Sequence, residues 1–514
     1  MTNQINTIRE FMNEQKLNFL LINSTNKYLV EYAPLEQNSR YKLTSFSGSA
    51  GDALVTPDNI YLFVDGRYHI QADLEVDHNL VTVIKLQTGQ SFLGELVKKI
   101  PTGKTLGVFA KKNSQKMVEA LQEKGVSIKF LNDDPLDENY EYDSSNVVQV
   151  EGVSVSEKVK GLNFDGAVLI TNLEEVSYLF NLRDFSKNYS SNICAKAVII
   201  NDRARLLEDI DDFVECYQGN IYVDKSTINA YDYSLIGDKV KILKDSPIKL
   251  IKAVKTEDEI EHYKSAFERT DRAMKAIREY IRNNKNISEF DIANQLEIEF
   301  KRFGAKSLSF KSIVAKDKNS ALAHYSKCSP DEILEDGSLV LIDCGAYFEQ
   351  GLATDITRVF VKGEPSELQK RVYTTVLKMF LNAYNMHRDE AEVNSSLYGY
   401  DIDAKAREVY DQNKIDGFEF NHGLGHGIGI SVHEYPPNLS KNELAKIDIQ
   451  DNMCFTIEPG LYNENHFGVR LENSCYMKNG KINSFTNMNY EAKLIDYTLL
   501  TEQENEWLKE FEVL

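Results

Sequence analysis

The sequence predicts a mixed α/β (α+β) chain of three domains, two similar α/β units followed by a larger unit that carries the chemistry. Three observations lead there. The first half holds a weak internal repeat, the pattern turns to long amphipathic helices near Ser246, and the remainder adds short apolar runs of strand length. With 514 residues, the chain is too long for one hydrophobic core and fits two or three.

In the first unit, about 1–150, LLINSTNKYLV from Leu20 reads as an apolar strand, a polar break and a second apolar run. VLITNLEEVSYLF from Val168 repeats that pattern in the second unit, about 151–248. Further on, ALVTPDNIYLFVD (Ala53 to Asp65) and AVIINDRARLLED (Ala197 to Asp209) match in length, and each reads as a hairpin of two strands. The polar, acidic stretch at 133–151 separates the units as a linker.

The third unit, about 249–514, opens on Thr256 followed three residues later by Glu259, a capping box. Ile260, Tyr263, Phe267, Met274, Ile277 and Ile281 then recur at helical spacing. A second start at Ser288 and Asp291 leads into Ile292, Leu296 and Phe300. The runs SLVLIDCGAY, TRVFV, NMCFTIEPGLY and GVRLENSCYM read as strands of a mixed sheet.

Composition narrows the function. Hydrophobic residues make up 42% and charged residues 27%, ordinary values for a soluble globular chain. A formal net charge of −20 argues against nucleic acid or an anionic membrane as partner, since both would repel it. MTNQINTIREFMNEQK has no secretory pattern, no apolar run is long enough to span a bilayer, and six scattered cysteines form no CxxC pair. A cytoplasmic, reduced protein is expected.

The chemistry concentrates in NHGLGHGIGISVH, from Asn421 to His433, where His422, His426 and His433 lie among glycines. The glycines at 423, 425, 427 and 429 suggest that something bulky, a metal with its substrate, approaches His426. The stretch is neither an H-E-x-x-H helix nor a dinucleotide fingerprint. Four acids accompany it: Asp343 in VLIDCGAY, Asp355 in GLATDITRVF, Glu458 in FTIEPGLY and Glu472 in GVRLENS. Each sits in or beside an apolar run, where an unpaired carboxylate is costly. If they converge with His426, their charge of −4 calls for two divalent cations, and the donor set suits Mn²⁺, with Co²⁺ or Zn²⁺ as replacements. Two such ions can hold a hydroxide and polarise a carbonyl, which is hydrolase chemistry. The alternative pairs each acid with a neighbour, Asp355 with Arg358 and Glu472 with Arg470.

The order Asp, Asp, His, Glu, Glu in LIDCGA, TDITR, HGLGHGIG, TIEPGLY and VRLEN resembles the pita-bread metallopeptidases. Within them the chain is most similar to the Xaa-Pro aminopeptidases (aminopeptidase P) of the cytosolic three-domain type. SFSGSAGDALVTPDNIYLFVDGRYHIQA, YLFNLRD, SPIKLIKAVKTEDEIE and KLIDYTLLTEQENEWL extend the resemblance nearly end to end. It implies two creatinase-N-like α/β domains, 1–150 and 151–248, then a pita-bread catalytic domain, 249–514. It also implies an enzyme that hydrolyses the N-terminal Xaa-Pro bond of peptides through a hydroxide bridging two metals, and a homodimer. By the same resemblance Asp355 and Glu472 bridge both metals, Asp343 chelates one, and His426 and Glu458 complete the other. His324, in ALAHY, contacts substrate and assists proton movement, His433 hydrogen-bonds the peptide carbonyl, and Glu458 shuttles the proton. His422 and Tyr462 wall the proline ring, and Arg470 orders the bridging Glu beside the substrate.

Two departures stand out. One residue more than the family pattern separates Asp343 from Asp355, so the turn from Tyr347 to Leu352 must bulge. The second unit is also short. A prolidase, restricted to dipeptides, and a non-enzymatic pita-bread binding module are the rival readings.

Overall fold

The computed structural model describes residues 2–87, 89–138, 142–207, 209–388 and 396–511. Residues 139–141 of the expected linker and residue 208 of the second hairpin stretch lie outside them. Two compact units form. One comprises Met1–Val147, Val153–Leu182 and Ile193–Ile248; the other comprises Val148–Gly152, Arg183–Asn192 and Lys249–Leu514.

The first unit contains the repeat as two sheets of one topology. In the first, Phe19–Ile22 pairs antiparallel with Asp52–Val55 on one side and parallel with Thr105–Phe109 on the other. Asp52–Val55 turns back as Ile60–Val64, and Thr105–Phe109 continues to Ser127–Leu131 in parallel. Gly166–Ile170 stands in the same way between the hairpin Lys196–Ile200/Arg203–Leu207 and the parallel strands Asn220–Asp224 and Val240–Leu243. The first sheet adds only the edge strand Val81–Lys85. Asn201 and Asp202, both at positive φ, close the second hairpin in two residues. Alternate side chains of the first sheet serve two cores, Leu20, Ile22, Ala53 and Val55 on one face and Phe19, Leu21, Leu54 and Leu106 on the other. Burial on both faces is what an α/β layer requires.

In the second unit both capping boxes form. Thr256 Oγ1 accepts from Glu259 N while the Glu259 carboxylate accepts from Thr256 N, starting a helix over Glu257–Asn283. Ser288 and Asp291 do the same for Glu289–Arg302. The apolar residues expected on these helices, Ile260 to Ile281 and Ile292 to Phe300, are buried. The strands that follow pair antiparallel, not as the mixed sheet expected. Leu339–Cys344 lies between Ile313–Lys316 and Ile356–Val361, and a five-stranded sheet runs Glu434–Leu439, Gly425–Gly427, Cys454–Ile457, Asn473–Lys478, Lys481–Ser484. Among these strands no helical crossover joins paired neighbours, which a parallel pair would need. The helices Glu367–Tyr384 and Gly399–Gln412 share a core with both sheets.

Strand periodicity places the chemistry. Val340, Ile342, Cys344, Ile356 and Phe360 point into a core with Met274, Ile277 and Leu296. Leu339, Leu341, Val359 and Val361 point to the opposite core. Asp343 and Thr357, paired across the strands, belong by register to this second face. One side of the sheet is therefore apolar apart from the buried Arg358, and the other can aim carboxylates inward. Among the described residues no helix is long and apolar enough to cross a membrane.

Candidate metal centre

Asp343 is the penultimate residue of its strand and Asp355 directly precedes the next, so their separation depends on the turn between them. Thr354 N donates to Ala346 O at 3.0 Å, and Tyr347 pairs with Ala353. Residues 348–352 form the turn outside this pairing, which is where the expected bulge would lie. The two arms touch at Gly345, where a Cβ would lie 1.8 Å from Thr354 O. Gly345→Ala must push the arms apart. We expect a stability loss of about 1–3 kcal/mol and weaker metal binding, checked by thermal unfolding with and without Mn²⁺; an unchanged metal-induced rise in Tm would disprove the coupling.

His426 lies in the short Gly425–Gly427 strand between Glu434–Leu439 and Cys454–Ile457. A Cβ at Gly425 would meet Thr456 O at 2.0 Å and one at Gly427 would meet Glu434 O at 2.6 Å. These glycines make room for the neighbouring backbones, where the sequence suggested room for a metal with substrate. His426 Nδ1 donates to Gly427 O at 3.0 Å, which leaves the Nε2 lone pair facing the acids. Nε2 is 3.6 Å from both Asp355 Oδ2 and Glu458 Oε1. That is too long for a hydrogen bond and suits donors arranged about a shared cation. Asp355, His426 and Glu472 each offer a ligand atom, all within 4.8 Å of one another.

The acids are held by neutral hydroxyls and one arginine. Thr357 Oγ1 donates to Glu472 Oε2 at 2.7 Å, and Ser474 Oγ donates to the Asp355 carbonyl at 2.8 Å. Arg470 donates through Nη2 to Asp343 Oδ2 at 2.6 Å, through Nε to Thr357 Oγ1 at 3.2 Å and through Nη1 to the Tyr462 hydroxyl at 2.8 Å. Burial, then the charges of Glu472, Asp343 and Glu458, drive the Asp355 carboxyl well above its ordinary range. Burial, then Glu458 and Asp343, do the same to Glu472. Asp343 Oδ1 and Asp355 Oδ1 are buried with no hydrogen-bond partner among the described residues. Orphaned carboxylate oxygens in an oxygen-rich cluster with one imidazole fit divalent cations.

Of the other expected residues, His422 and His433 connect to this centre. His422 Nδ1 donates to Gly423 O at 2.7 Å, and its Nε2 lies 2.9 Å from the Tyr462 hydroxyl, which completes a relay from Arg470. Burial, more than any charge, pushes Tyr462 up to about 12, so it stays a neutral phenol. The His433 ring stands edge-on to His426 with centroids 4.5 Å apart. His324 is half-buried just beyond the Asp317–Ala321 turn. That turn is tied to the Gly468–Arg470 strand by Ser320, which donates to Gly468 O and accepts from Gly468 N.

Among the described residues, the local pairings of the alternative reading do not form. Arg470, expected beside Glu472 and the substrate, is 3% exposed, pairs with Asp343 and reaches Glu472 only through Thr357. Arg358 donates to the carbonyls of Thr357, Glu472 and Met488 and to Asn473 Oδ1, which spends it on backbone. Sequence reasoning also missed two buried glutamates that shape the loops. The Glu289 carboxylate gathers Lys316 N, Asn319 Nδ2, Tyr325 OH and Ser329 N around the His324 segment. Glu434, adjacent to His433, accepts from Ile430 N at 2.6 Å and lies 2.5 Å from Lys252 Nζ and 3.4 Å from Lys255 Nζ. Its only sequence signal is an acid beside a catalytic candidate.

Known proteins resemble both the N-terminal and the C-terminal parts of the chain. Residues 261–479 match metallopeptidase family M24, and residues 4–137 match the creatinase/prolidase N-terminal domain. The chain is 29% identical to a probable Xaa-Pro aminopeptidase P of Coprinopsis cinerea, over 99% of this chain and 93% of that protein. It is 27% identical to Xaa-Pro aminopeptidase 1 of Dictyostelium discoideum, over 99% and 92%. Its fold is similar to the crystal structure of X-prolyl aminopeptidase from Caenorhabditis elegans, described as a cytosolic enzyme with a di-nuclear active site. That match has a TM-score of 0.86 and 21% identity, covering 96% of this chain and 90% of that one.

Proposed function

We propose, because residues 261–479 match metallopeptidase family M24, that the chain is a metal-dependent aminopeptidase removing the first residue from peptides with proline second. The observation that carries this reading is the convergence of Asp355, His426 and Glu472, with Glu458 beside them, in the unit where Asp343 is held by Arg470. Asp343, Asp355, His426, Glu458 and Glu472 would hold two divalent ions, Mn²⁺ the best fit to this donor set. Such ions would supply Lewis acidity and a water that is nucleophilic at neutral pH.

The chain's own residues do the rest. Glu458, at the edge of the cluster, takes the proton of the attacking water and passes it to the departing nitrogen. His433 donates a hydrogen bond to the carbonyl oxygen as negative charge gathers there. His324 contacts the substrate and assists the proton's movement. His422 and Tyr462 form one wall for the proline ring, and Arg470 orients that wall and Asp343 together as a positioning residue. The Xaa-Pro bond has no N–H, so a pocket that fits a ring and offers no acceptor there favours proline.

The repeated sheets support a division into 1–150, 151–248 and 249–514, and two such N-terminal units favour the aminopeptidase over the dipeptidase. A homodimer and a cytoplasmic location belong to the same reading. The test is to strip the protein with chelator, restore Mn²⁺, and compare an Xaa-Pro-Pro tripeptide with an Xaa-Pro dipeptide and an Xaa-Ala tripeptide. Metal-dependent release of the first residue from the proline tripeptide, with the others slow, is expected. Cleavage of the dipeptide alone would make the chain a prolidase, and no hydrolysis with metal bound would make it a binding module.

A further inference from the structure

The stretch Arg183–Asn192 belongs to the second compact unit, although the chain before and after it belongs to the first. It doubles back on itself, with Asp184 N donating to Ser191 O at 2.9 Å and Asp184 Oδ1 accepting from Ser186 N. From this strap three side chains reach two loops of the metal centre. Arg183 Nε donates to Gln350 O at 3.1 Å. Ser191, fully buried, places its Oγ 2.7 Å from Gly351 O and 3.2 Å from Ile430 O. Asn192 Nδ2 donates to Ser431 Oγ at 2.9 Å. The fit is close: Gly351 has φ +64°, and a Cβ there would strike Arg183 Cδ at 2.6 Å.

The first loop leads from Asp343 to Asp355, and the second runs from His426 to His433. Ala353 N joins them directly by donating to Gly429 O at 2.7 Å. The polar groups of Ile430 and Ser431 can be accounted for one by one. Their two N–H groups go to Glu434 Oε1, and Ser431 O accepts from Gly429 N. Of the remaining two, Ile430 O shares the single Ser191 proton with Gly351 O, and Ser431 Oγ accepts from Asn192 Nδ2. Glu434 thus fixes the turn through its donors, and the strap fixes it through its acceptors. His433 follows two residues later, with its ring set edge-on to His426.

We propose that Ser191 and Asn192 are positioning residues for peptide cleavage, holding the Gly429–His433 turn so that His433 meets the scissile carbonyl. This rests on the function proposed above. A hydrogen bond to developing charge is steeply sensitive to placement, whereas ground-state binding is shared among several walls, so the effect falls on kcat more than on KM.

The test uses the full-length, Mn²⁺-loaded protein. Ser191→Ala, Asn192→Ala and, from the other side of the contact, Ser431→Ala are made alone and combined with His433→Ala. We expect kcat on the Xaa-Pro-Pro tripeptide to fall about tenfold with KM, metal content and Tm nearly unchanged. In the His433→Ala background the same changes should have less than about a twofold further effect, because little remains to be positioned. Hydrogen exchange, which needs no activity, should show faster exchange at amides 429–433 in Ser191→Ala. Effects that multiply with His433→Ala, a kcat loss that follows metal loss, or unchanged exchange at 429–433 would overturn the proposal. A wild-type protein that binds metal but cleaves no Xaa-Pro peptide would instead overturn the proposed function, and exchange alone would then decide whether the strap holds the turn.

Discussion

Asp355→Asn is expected to fold, to bind no catalytic metal and to lose at least about 10³-fold in peptide cleavage, equivalent to about 4 kcal/mol or more of transition-state stabilisation. The amide keeps the shape of the carboxylate and removes its charge, so the loss reports electrostatics and not packing. Stability moves in two directions. In the metal-free wild type, burial and then Glu472, Asp343 and Glu458 raise the Asp355 pKa, so the folded state binds that proton more tightly than the unfolded chain does. Such a group favours folding fully only below its unfolded value, about 3.9, and the contribution is lost as pH rises through the raised folded value. Metal-free Asp355→Asn, having no charge to bury there, is therefore at least as stable as metal-free wild type at pH 8. The order reverses when Mn²⁺ is added, because only the wild type gains the free energy of binding. Thermal unfolding from pH 5 to 8 with and without Mn²⁺ measures both effects. Wild-type metal affinity in Asp355→Asn would remove Asp355 from the ligand set.

Much of this site is legible in the sequence because its signals are local. A capping box needs only Thr256 and Glu259, and a helix face needs only the spacing of Ile260 to Ile281; both follow from short-range sterics and hydrogen bonding. An acid in an apolar run stands out because its burial is costly, and that marked Asp343, Asp355, Glu458 and Glu472. The partner of each acid was not legible. Sequence proximity suggested Arg470 for Glu472 and Arg358 for Asp355, but Arg358, three residues on, turns to the opposite face of its strand, and the Arg470 guanidinium is drawn to Asp343 across the strands while Thr357 takes Glu472. Strand direction was missed for the same reason, since apolar runs carry no label for their neighbours. The glycines around His426 were visible, yet what fills the space beside them, Thr456 O and Glu434 O, comes from chain further along. The strap at Arg183–Asn192 is still more remote, because its role depends on loops well over a hundred residues away.

Glu434→Gln should be the most destabilising single change near the site, by about 3–5 kcal/mol at pH 7. The Glu434 carboxylate is buried with Lys252 Nζ at 2.5 Å and Lys255 Nζ at 3.4 Å, both lysines equally buried. An amide in its place removes the carboxylate that faces both buried lysines, and the lost charge compensation outweighs any one hydrogen bond kept. Burial by itself would raise the Glu434 pKa, but Lys252 and Lys255 outweigh it and hold the carboxyl down at about 2. A depressed pKa contributes stability that is present above the unfolded value, about 4.3, and is lost as pH falls through the folded one. The gap between wild type and Glu434→Gln should thus be constant from pH 8 to about 5 and close between about pH 4 and 2. Urea unfolding across that range checks it, and a gap that widens on acidification would refute the assignment. The lysines also decide the control. With Lys252→Met added to Glu434→Gln, one of the two buried cations that faced the carboxylate is gone and part of the loss returns, whereas a purely local packing fault would only grow. Since Glu434 Oε1 also holds Ile430 N and Ser431 N, Glu434→Gln should lower stability and kcat together. Ser191→Ala, which touches the same turn without stranding a charge, should lower kcat alone.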